Sequence, residues 1–498
     1  MILFLHPKAT SPRSRRFPLS ILALAAVLEG KEEYEIVDGN VDPCPGETLD
    51  GLMKKDPAKL LAVSVMPGPQ MVAAVPLCRS FKEKYPGVPV VWGGYFPSLY
   101  PDAALNAPYV DFVARAQGEE TLVELIEALR GGGDFSKIRG LSYKDPSGRH
   151  IHNPERPLRS PGDFPWPPYH RLDPSKYILP TFLGSRTAAH QASIGCPFRC
   201  NFCGVVPVFS HEKMEPPERT AAVLRHLKAA YGVNAVQFYD NNFFLREDHA
   251  RELAGRLAAL ELRWWCEARV DTVLGYSDET LRALKRAGST MIFFGAESGS
   301  DWVLRQMNKQ LKAEQTLALA ERIRHFGIIP EFSFVVGNPQ DPERDTRECV
   351  RFIRKIKKIN PAAEIIVQHY VPTPQRDGMY GGVEGRIEFP TTAEEWATER
   401  WYNFTVRKDP QVPWLPRGIK RRIDDFELVV SSRWPTVQDI RLPRWGRTLL
   451  RSLSSWRYHL GVYRFPLELD WAHKFVELRK PKVEACEFSI QPFEALSS

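Results

Sequence analysis

The sequence predicts an α/β protein with a doubly wound parallel sheet, then a partial barrel of parallel strands, then a helical C-terminal extension. Short apolar runs alternate with helical patterns twice along the 498 residues, over 1–140 and again over 186–395. Such alternation is typical of parallel strands covered by helices. The stretch 141–185 is rich in Pro and Gly and is expected to be a connector, and the composition changes again over 396–498. More than one domain is therefore expected, as the length also indicates.

Residues 1–140 predict a Rossmann-like sheet with helices on both faces. Ligands of doubly wound sheets bind beyond the carboxyl ends of the strands, where Gly and Pro loops allow close approach of the backbone. The pairs Gly93-Gly94 and Gly118-Glu119 stand in two such loops and are candidate cofactor contacts. The expected strands are Met1–Leu5, Tyr34–Val37, Leu60–Val65, Val88–Trp92 and Val110–Ala114.

Residues 186–395 contain six strand–helix units, which suit a partial barrel similar to the TIM barrel. In such barrels the functional groups gather at the carboxyl ends of the strands. The expected strands are Ala192–Ile194, Ala235–Tyr239, Trp264–Ala268, Met291–Gly295, Ile329–Val336 and Ile365–Tyr370.

Three cysteines follow the first of these strands: Cys196, Cys200 and Cys203, with the spacing C-x3-C-x2-C, and Phe202 precedes the last of them. Soft thiolates select iron–sulfur clusters, and three on one loop can hold three corners of a cubane cluster. The fourth iron would then be open to a substrate or cofactor. A zinc site completed by a nearby histidine is the alternative. A disulfide framework is not expected, because the other five cysteines are scattered along the chain.

This motif, with an aromatic residue before the last cysteine, resembles the signature of radical S-adenosylmethionine enzymes. The resemblance implies that a 4Fe–4S cluster binds the three thiolates and that S-adenosylmethionine chelates the open iron. It also implies that Asp240 faces the amino group of S-adenosylmethionine, Glu297 its ribose and Gly337 its adenine. Phe202 in the cysteine motif and Arg269 at the end of the third barrel strand are further candidate cofactor contacts. Each of these residues could instead simply cap a strand.

The loops of the first domain, placed ahead of the cysteine motif, resemble those of the cobalamin-dependent members of this family. They match a Gly-Gly after one strand and, in part, a Gly-Glu-Gly-Glu-like turn at Gln117–Glu120. The D-x-H-x-x-G stretch that supplies an axial histidine in many cobalamin proteins is absent from the sequence. The resemblance therefore implies bound cobalamin with no histidine from that motif on the lower face of the cobalt. A degenerate domain that only docks substrate is the alternative.

The C-terminal extension is basic and rich in tryptophan. Residues 400–464 hold fourteen Lys and Arg against five Asp and Glu, and seven of the twelve Trp lie beyond residue 395. A helix here can lie on an anionic membrane, or bind an acidic substrate or nucleic acid. Alternatively, its apolar stripe packs on the barrel and its arginines are solvated. At about 100° per residue, the apolar stripe is Trp445, Leu449, Leu453, Trp456 and Leu460, with Arg444, Arg447 and Arg451 opposite.

The resemblance implies a cobalamin-dependent radical S-adenosylmethionine methyltransferase that uses a 5′-deoxyadenosyl radical and methylcobalamin to methylate an unactivated carbon of a small molecule or lipid. A cyclase or rearrangement enzyme, similar to the anaerobic magnesium-protoporphyrin cyclase, is the first alternative, and an RNA-modifying iron–sulfur protein is the second. No catalytic residue is assigned. The expected partners are the substrate and an electron donor such as flavodoxin or ferredoxin, and nucleic acid is not expected. No stretch approaches the about 20 apolar residues of a membrane helix. A cytoplasmic location is expected, with the C-terminal helix as a candidate contact to the inner face of the membrane.

Overall fold

The computed structural model describes residues 1–375, 377–407 and 409–476, so residues 477–498 of the expected extension lie outside the described part. Its first sheet has seven strands, which in chain order are β1 (Ile2–His6), β2 (Tyr34–Asp38), β3 (Leu60–Ser64), β4 (Val90–Gly93), β5 (Phe112–Ala114), β6 (Leu141–Lys144) and β7 (His150–His152). They lie in the order β2-β1-β3-β4-β5-β6-β7. The first five are parallel, which confirms the predicted doubly wound sheet.

The last two strands form an antiparallel hairpin that extends the first sheet into the stretch expected to be a connector. Asp145 closes the hairpin turn, because its carboxylate accepts hydrogen bonds from the amides of Ser147 and Arg149. Gly148 in this turn has a φ of +82°. The two strands are short and partly polar, so they lack the apolar run that marks the other strands.

Helices cover both faces of the first sheet because successive strand residues point to opposite faces. The helices are α1 (Leu19–Leu28), α2 (Pro45–Lys55), α3 (Pro69–Lys84), α4 (Tyr95–Leu99), α5 (Pro101–Leu105) and α6 (Glu119–Gly131). Phe4 and Ala62 pack with α1 and α6 on one face. Leu5 and Val63 pack with α2 and α3 on the other.

The chain between the two domains is held against the first one by aromatic and polar contacts. The ring of Phe17 lies 5.0 Å from that of Tyr169 and 5.1 Å from that of Tyr177, measured between centroids. The Tyr177 hydroxyl donates to the carboxylate of Asp38 at 2.9 Å. The connector is therefore packed along its length and does not act as a free linker.

The second domain contains a sheet of six parallel strands, which confirms the predicted partial barrel. The first strand of this sheet is Thr187–His190, which lies earlier in the sequence than expected. The expected first strand, Ala192–Ile194, is wrong, because Ser193–Ile194 pairs with Lys213–Met214 in a two-stranded antiparallel ribbon. The strands of the domain in chain order are β8 (Thr187–His190), β9 (Ser193–Ile194), β10 (Lys213–Met214), β11 (Ala235–Phe238), β12 (Arg263–Ala268), β13 (Ser289–Glu297), β14 (Ile329–Val336) and β15 (Glu364–His369), of which β9 and β10 form the ribbon.

The helices of the second domain pack on the outside of its sheet and are followed by five helices in the part of the C-terminal extension that is described, up to residue 476. The barrel helices are α7 (Pro217–Tyr231), α8 (Glu247–Ala258), α9 (Val270–Leu274), α10 (Asp278–Arg286), α11 (Asp301–Gln306), α12 (Ala313–Arg324) and α13 (Pro342–Ile359). The extension consists of α14 (Ala393–Trp396), α15 (Glu399–Thr405), α16 (Arg417–Arg433), α17 (Arg444–Leu460) and α18 (Leu467–Val476).

The extension begins by folding back over the first domain. Trp396 is fully buried, and its ring centroid lies 5.8 Å from that of Phe96 and 4.4 Å from that of Tyr100. The side-chain amide of Asn106 donates to the carbonyl of Thr391 at 2.8 Å. The two domains and the extension therefore share one packed interior.

Only part of the apolar stripe expected on α17 is covered: Leu449 and Leu453 are half-buried, and Leu453 packs against the main core. Trp445 and Trp456 are exposed, and Leu460 is 72% exposed, whereas Leu450 and Ser454 are buried. The side of α17 that carries these buried residues packs against α16 and α18. Among the described residues, no helix is long and apolar enough to cross a membrane.

Candidate functional site

The three predicted cluster cysteines lie on one loop, which starts after β9 and returns at β10. At the start of the loop Gly195 has a φ of +84°, and a Cβ there would lie 1.8 Å from the carbonyl oxygen of His211. Only glycine fits this crossing, which brings the two ends of the loop together. Cys200 is buried, and Cys196 and Cys203 are partly exposed.

The segment after α11 holds the middle of the cysteine loop. The side-chain amide of Asn201 donates to the carbonyl of Gln306 at 2.9 Å, and that of Asn308 donates to the carbonyl of Arg199 at 2.7 Å. These two reciprocal bonds cross-link a loop that has little regular structure of its own. The positions of the cysteines are therefore fixed by the barrel.

Arg269, expected at the end of β12, reaches the cysteine loop. Its guanidinium lies 3.7 Å from the Cys200 sulfur and 3.7 Å from the centroid of the Phe198 ring. Asp271 accepts two hydrogen bonds from the same guanidinium, at 2.8 and 3.0 Å, and so orients it. Arg269 therefore places a fixed positive charge beside a sulfur that would carry negative charge in a cluster.

A second buried cation, Lys309, lies on the other side of the loop. Its Nζ is 2.7 Å from the Glu297 carboxylate and 6.0 Å from the centroid of the Phe202 ring. Burial alone would lower the pKa of Lys309, but Glu297 and Cys200 together raise it above its ordinary value. Lys309 therefore brings a second positive charge close to the cysteine loop.

The donor set fits an iron–sulfur cluster better than a zinc ion. Among the described residues, no three His, Cys, Asp or Glu side chains converge to hold one metal ion, whereas a cubane takes one thiolate per iron. The Nε2 of His190 is already paired with Glu215 at 3.0 Å in the protein interior. Burial raises the pKa of the Cys203 thiol to about 11, so its ionisation depends on the metal and the nearby cations.

Asp240 follows β11 and is buried at the mouth of the barrel. Among the described residues, neither of its carboxyl oxygens has a hydrogen-bond partner. Burial raises its pKa to about 7, and burial together with Asp240 raises the pKa of Glu212 to about 8. Two neighbouring carboxyl groups fit an incoming amine, which is the group that the sequence resemblance assigns to Asp240.

Glu297 and Gly337 end two neighbouring barrel strands in unusual backbone conformations. Glu297 has a φ of +62° at a bulge between β13 and β14, a conformation that costs free energy for any residue except glycine. Gly337 has a φ of +103°, and its amide donates to the Asp345 carboxylate at 2.9 Å. Its Cα faces Leu415 of the extension, since a Cβ there would lie 3.3 Å from that side chain. Contacts of Glu297 and Gly337 with S-adenosylmethionine remain predictions.

The first sheet offers a ligand edge where its strand order reverses, between β1 and β3. Met66, just beyond β3, is 44% exposed, although it is the only large apolar side chain left exposed within the fully described stretch 1–140. His6 ends β1 at the same edge. Its Nδ1 lies 3.1 Å from Asp38 and its Nε2 lies 2.9 Å from Gln70. The exposed apolar side chain at this edge fits the flat ring of a macrocycle. Because both nitrogens of His6 are engaged, His6 is not expected to be a ligand of the macrocycle's metal.

The predicted cobalamin contacts lie along the same edge and have distinct structural roles. Gly94 has a φ of +99°, and a Cβ there would lie 2.8 Å from the carbonyl oxygen of Val65, so glycine is required by the packing of two loops. Gly93 ends β4, and Gly118 packs against Leu24 at the start of α6. Burial raises the pKa of Glu119. Contact between these residues and cobalamin remains a prediction.

The ligand edge of the first sheet meets the cysteine loop directly. Asn241, which follows Asp240, accepts a hydrogen bond from the Gly195 amide at 3.2 Å and donates to the Tyr95 hydroxyl at 3.4 Å. The Tyr95 ring also packs edge-to-face on Phe209 of the cysteine loop, with 5.6 Å between centroids. The two predicted cofactor sites are thus a single side chain apart.

Three further charged groups lie at this mouth that no sequence motif indicates: Glu212, Lys309 and Arg407. Lys309 and Arg407 reach the site only through folding. For Glu212 the position just before β10 was the one available signal, since that strand closes the cysteine loop.

Two family models match this chain in parts that correspond to the two sheets. Residues 191–353 match the radical SAM superfamily, and residues 9–126 match the B12 binding domain. An uncharacterized methyltransferase of Pyrococcus horikoshii is 27% identical over 344 residues, which cover 68% of this chain and 73% of that protein. The anaerobic magnesium-protoporphyrin IX monomethyl ester cyclase of Rubrivivax gelatinosus is 26% identical over 55% of this chain and 50% of that protein.

A solved structure shares the whole architecture. The radical S-adenosylmethionine methyltransferase TsrM of Kitasatospora setae, determined with cobalamin and a [4Fe-4S] cluster bound, aligns over 96% of this chain and 98% of its own, with a TM-score of 0.65. At 16% sequence identity the likeness concerns the fold. It extends through the C-terminal helices as well as the two sheets.

Proposed function

Because this chain belongs to the radical S-adenosylmethionine enzymes that carry a B12-binding domain, we propose that it methylates an unactivated carbon of a small molecule or lipid. The two domains imply a 4Fe–4S cluster, S-adenosylmethionine and cobalamin as cofactors. When bound, these groups supply an electron, a hydrogen-abstracting radical and a methyl group. The observation that carries the proposal is the bridge through Asn241, since it places the ligand edge of the first sheet against the cysteine loop.

The residues of the chain would act by binding, orienting and shielding. Arg269 and Lys309 offset the negative charge that three thiolates bring into the interior. Asp240 and Glu212 offer carboxylates to the amine of S-adenosylmethionine. The rings of Phe202 and Tyr95 line the junction between the domains and help to exclude water.

The test uses the full chain, reconstituted without oxygen. We expect one 4Fe–4S cluster per chain and cleavage of S-adenosylmethionine under reducing conditions, both lost when Cys196, Cys200 and Cys203 are all replaced by Ala. Cys44→Ala is the matched control, since Cys44 is exposed and lies in the first domain. Retention of a full iron content by the triple variant would contradict the assignment.

Cobalamin binding is tested separately. The bound cobalt(II) form should show no nitrogen hyperfine splitting from an axial imidazole, because both nitrogens of His6 are engaged at the ligand edge. A nitrogen triplet would refute this, and a chain that binds no cobalamin would favour the degenerate-domain alternative.

A cyclase is the second candidate function, and the likeness to the Rubrivivax gelatinosus protein favours it. The two functions differ in what happens to the methyl group. With S-adenosylmethionine carrying a trideuterated methyl group, a methyltransferase product gains about 17 mass units, whereas a ring-forming reaction gives no labelled product.

A membrane contact through the extension is part of the proposal. Trp471 is 64% exposed and its ring stacks on that of Phe475, which is 62% exposed. Trp445 packs against Phe475, and Arg444 and Arg451 are exposed on α17. Aromatic side chains beside arginines are typical of helices that lie in the interface of anionic membranes. The enzyme would then work at the cytoplasmic face of the membrane, with flavodoxin or ferredoxin as its electron donor.

A further inference from the structure

The extension places one arginine at the junction of the two domains. Arg407 follows α15 and has a φ of +55°. Just before it, Thr405 and Val406 pack on the loop after β3, since a Cβ on Gly68 would lie 3.1 Å from the Thr405 hydroxyl and 3.4 Å from Val406. This part of the extension therefore lies directly on the ligand edge of the first sheet.

The guanidinium of Arg407 points from there into the mouth of the barrel. It donates a hydrogen bond to the side-chain carbonyl of Gln368, near the end of β15. Glu297, Cys203 and Tyr370 are near enough for their charges to influence it. The residue thus faces the cysteine loop and the strand ends of the barrel from the side of the first domain.

Arg407 is half-buried and has no carboxylate partner in the part of the chain that the structure describes. Among the described residues, none forms an ion pair with it, and the nearby Glu297 is already paired with Lys309. Burial lowers the pKa of Arg407. Arg269 and Arg457, which are more deeply buried, are each paired with an acidic side chain, Asp271 and Glu468. An enclosed cation that lacks such a partner is costly unless an anion joins it.

We propose that Arg407 binds an anionic group, a carboxylate or a phosphate or phosphonate, on the substrate. The inference rests on the proposed function, because it takes the space between the ligand edge and the cysteine loop to be where the substrate lies. A planar guanidinium held at one nitrogen by Gln368 leaves its remaining donors for a bidentate contact with such a group. Arg407 would thereby fix one end of the substrate while its reacting carbon faces the cofactors.

The carboxylate of S-adenosylmethionine is a second source of the same chemistry, so the test separates the two. The holoprotein, loaded with S-adenosylmethionine, is labelled with phenylglyoxal, and modification of Arg407 is measured by peptide mass spectrometry. Acetate and methylphosphonate serve as probes and neutral acetamide as their control. We expect both anions to protect Arg407 and acetamide to leave it reactive. Arg417, which is exposed at the start of α16, should be labelled equally in all samples.

Binding of the same probes is then measured by calorimetry on Arg407→Met, Arg407→Lys and the control Arg417→Met. Loss of a charge-assisted hydrogen bond should weaken anion binding at least about tenfold in Arg407→Met. The affinity of Arg407→Lys for the probes should lie between those of the wild type and Arg407→Met, since lysine keeps the charge but lacks the two parallel donors of a guanidinium. If Arg407→Met does not fold, the labelling of the wild-type protein and Arg407→Lys still decide the question.

Two results would overturn the inference. One is unchanged probe affinity in Arg407→Met. The other is an Arg407 that is already unreactive with S-adenosylmethionine alone and gains nothing from the anions, which would assign the contact to the cofactor. Iron content and cobalamin absorbance are measured on every sample, so a failure of the proposed function appears as missing cofactor and is distinct from a failure at Arg407.

Discussion

The buried carboxyl group of Asp240 makes stability depend on pH in a direction opposite to that of an ion-paired acid. Its pKa rises from 3.8 to about 7 on folding. Between these values the folded chain holds a proton that the unfolded chain has released, so stability falls as pH rises through this window and the full cost is present above pH 7. At 1.36 kcal/mol per pKa unit, the rise of about three units corresponds to at most about 4 kcal/mol.

The variant Asp240→Asn removes this titration. Relative to wild type it should gain stability as the pH is raised from 4 to 8, by up to about 4 kcal/mol, because the amide needs no proton to stay neutral. A fall in the pKa of Glu212, when its neighbour loses the negative charge, would add to this gain, because Glu212 would then also ionise at a lower cost. The measurement is thermal or denaturant unfolding of the cofactor-free chain across this range, with Asp248→Asn, at an exposed carboxylate, as the control.

The pKa of Asp240 also predicts how the binding of S-adenosylmethionine depends on pH. If Asp240 pairs with the amine of S-adenosylmethionine, affinity for that cofactor in the wild type should fall as the pH drops below about 7, the pKa of this group. Asp240→Asn should bind it weakly at every pH. A stability difference between wild type and variant that stays constant from pH 4 to 8, or that runs the other way, would refute the reasoning.

Two further predictions concern the cysteine loop and the extension. Gly195→Ala should lose most of its iron after reconstitution, because its Cβ would lie 1.8 Å from the His211 carbonyl, whereas Gly255→Ala, which meets nothing within 4 Å, should keep it; equal iron contents would show that the loop can rearrange. The double variant Arg444→Glu/Arg451→Glu should bind anionic vesicles at least about thirtyfold more weakly, whereas Arg417→Glu should bind them as the wild type does. Binding is measured by sedimentation with vesicles that contain or lack anionic lipid. Binding that depends neither on the lipid charge nor on these two arginines would exclude the membrane contact. Arg447 is unsuited to this test, since it donates hydrogen bonds to the carbonyls of Pro435, Thr436 and Asp439.

Local patterns predicted the parts of this structure that depend on local chemistry. The C-x3-C-x2-C loop, the strand alternation and the Gly-Gly turn each follow from neighbours in the sequence. Lys309 and Arg407 could not be found in that way, because closure of the barrel and the return of the extension bring them to the site. The orientation of α17 was equally out of reach: periodicity shows that Trp445 and Leu460 share a face, but the helices packed beside it decide which face is covered.

The return of the extension over the first domain has a consequence for how the enzyme acquires its largest cofactor. Trp396 and Thr405 lie across the loops at the ligand edge, and Trp396 is fully buried there among aromatic rings. A macrocycle the size of cobalamin cannot pass beneath them while they are packed. During synthesis cobalamin can bind before the extension packs, since the first domain is complete before residues 391–407 leave the ribosome. Cobalamin supplied during expression should therefore be trapped as the chain finishes folding. Cobalamin added to the folded protein should enter slowly, at the rate at which residues 391–407 detach from the first domain.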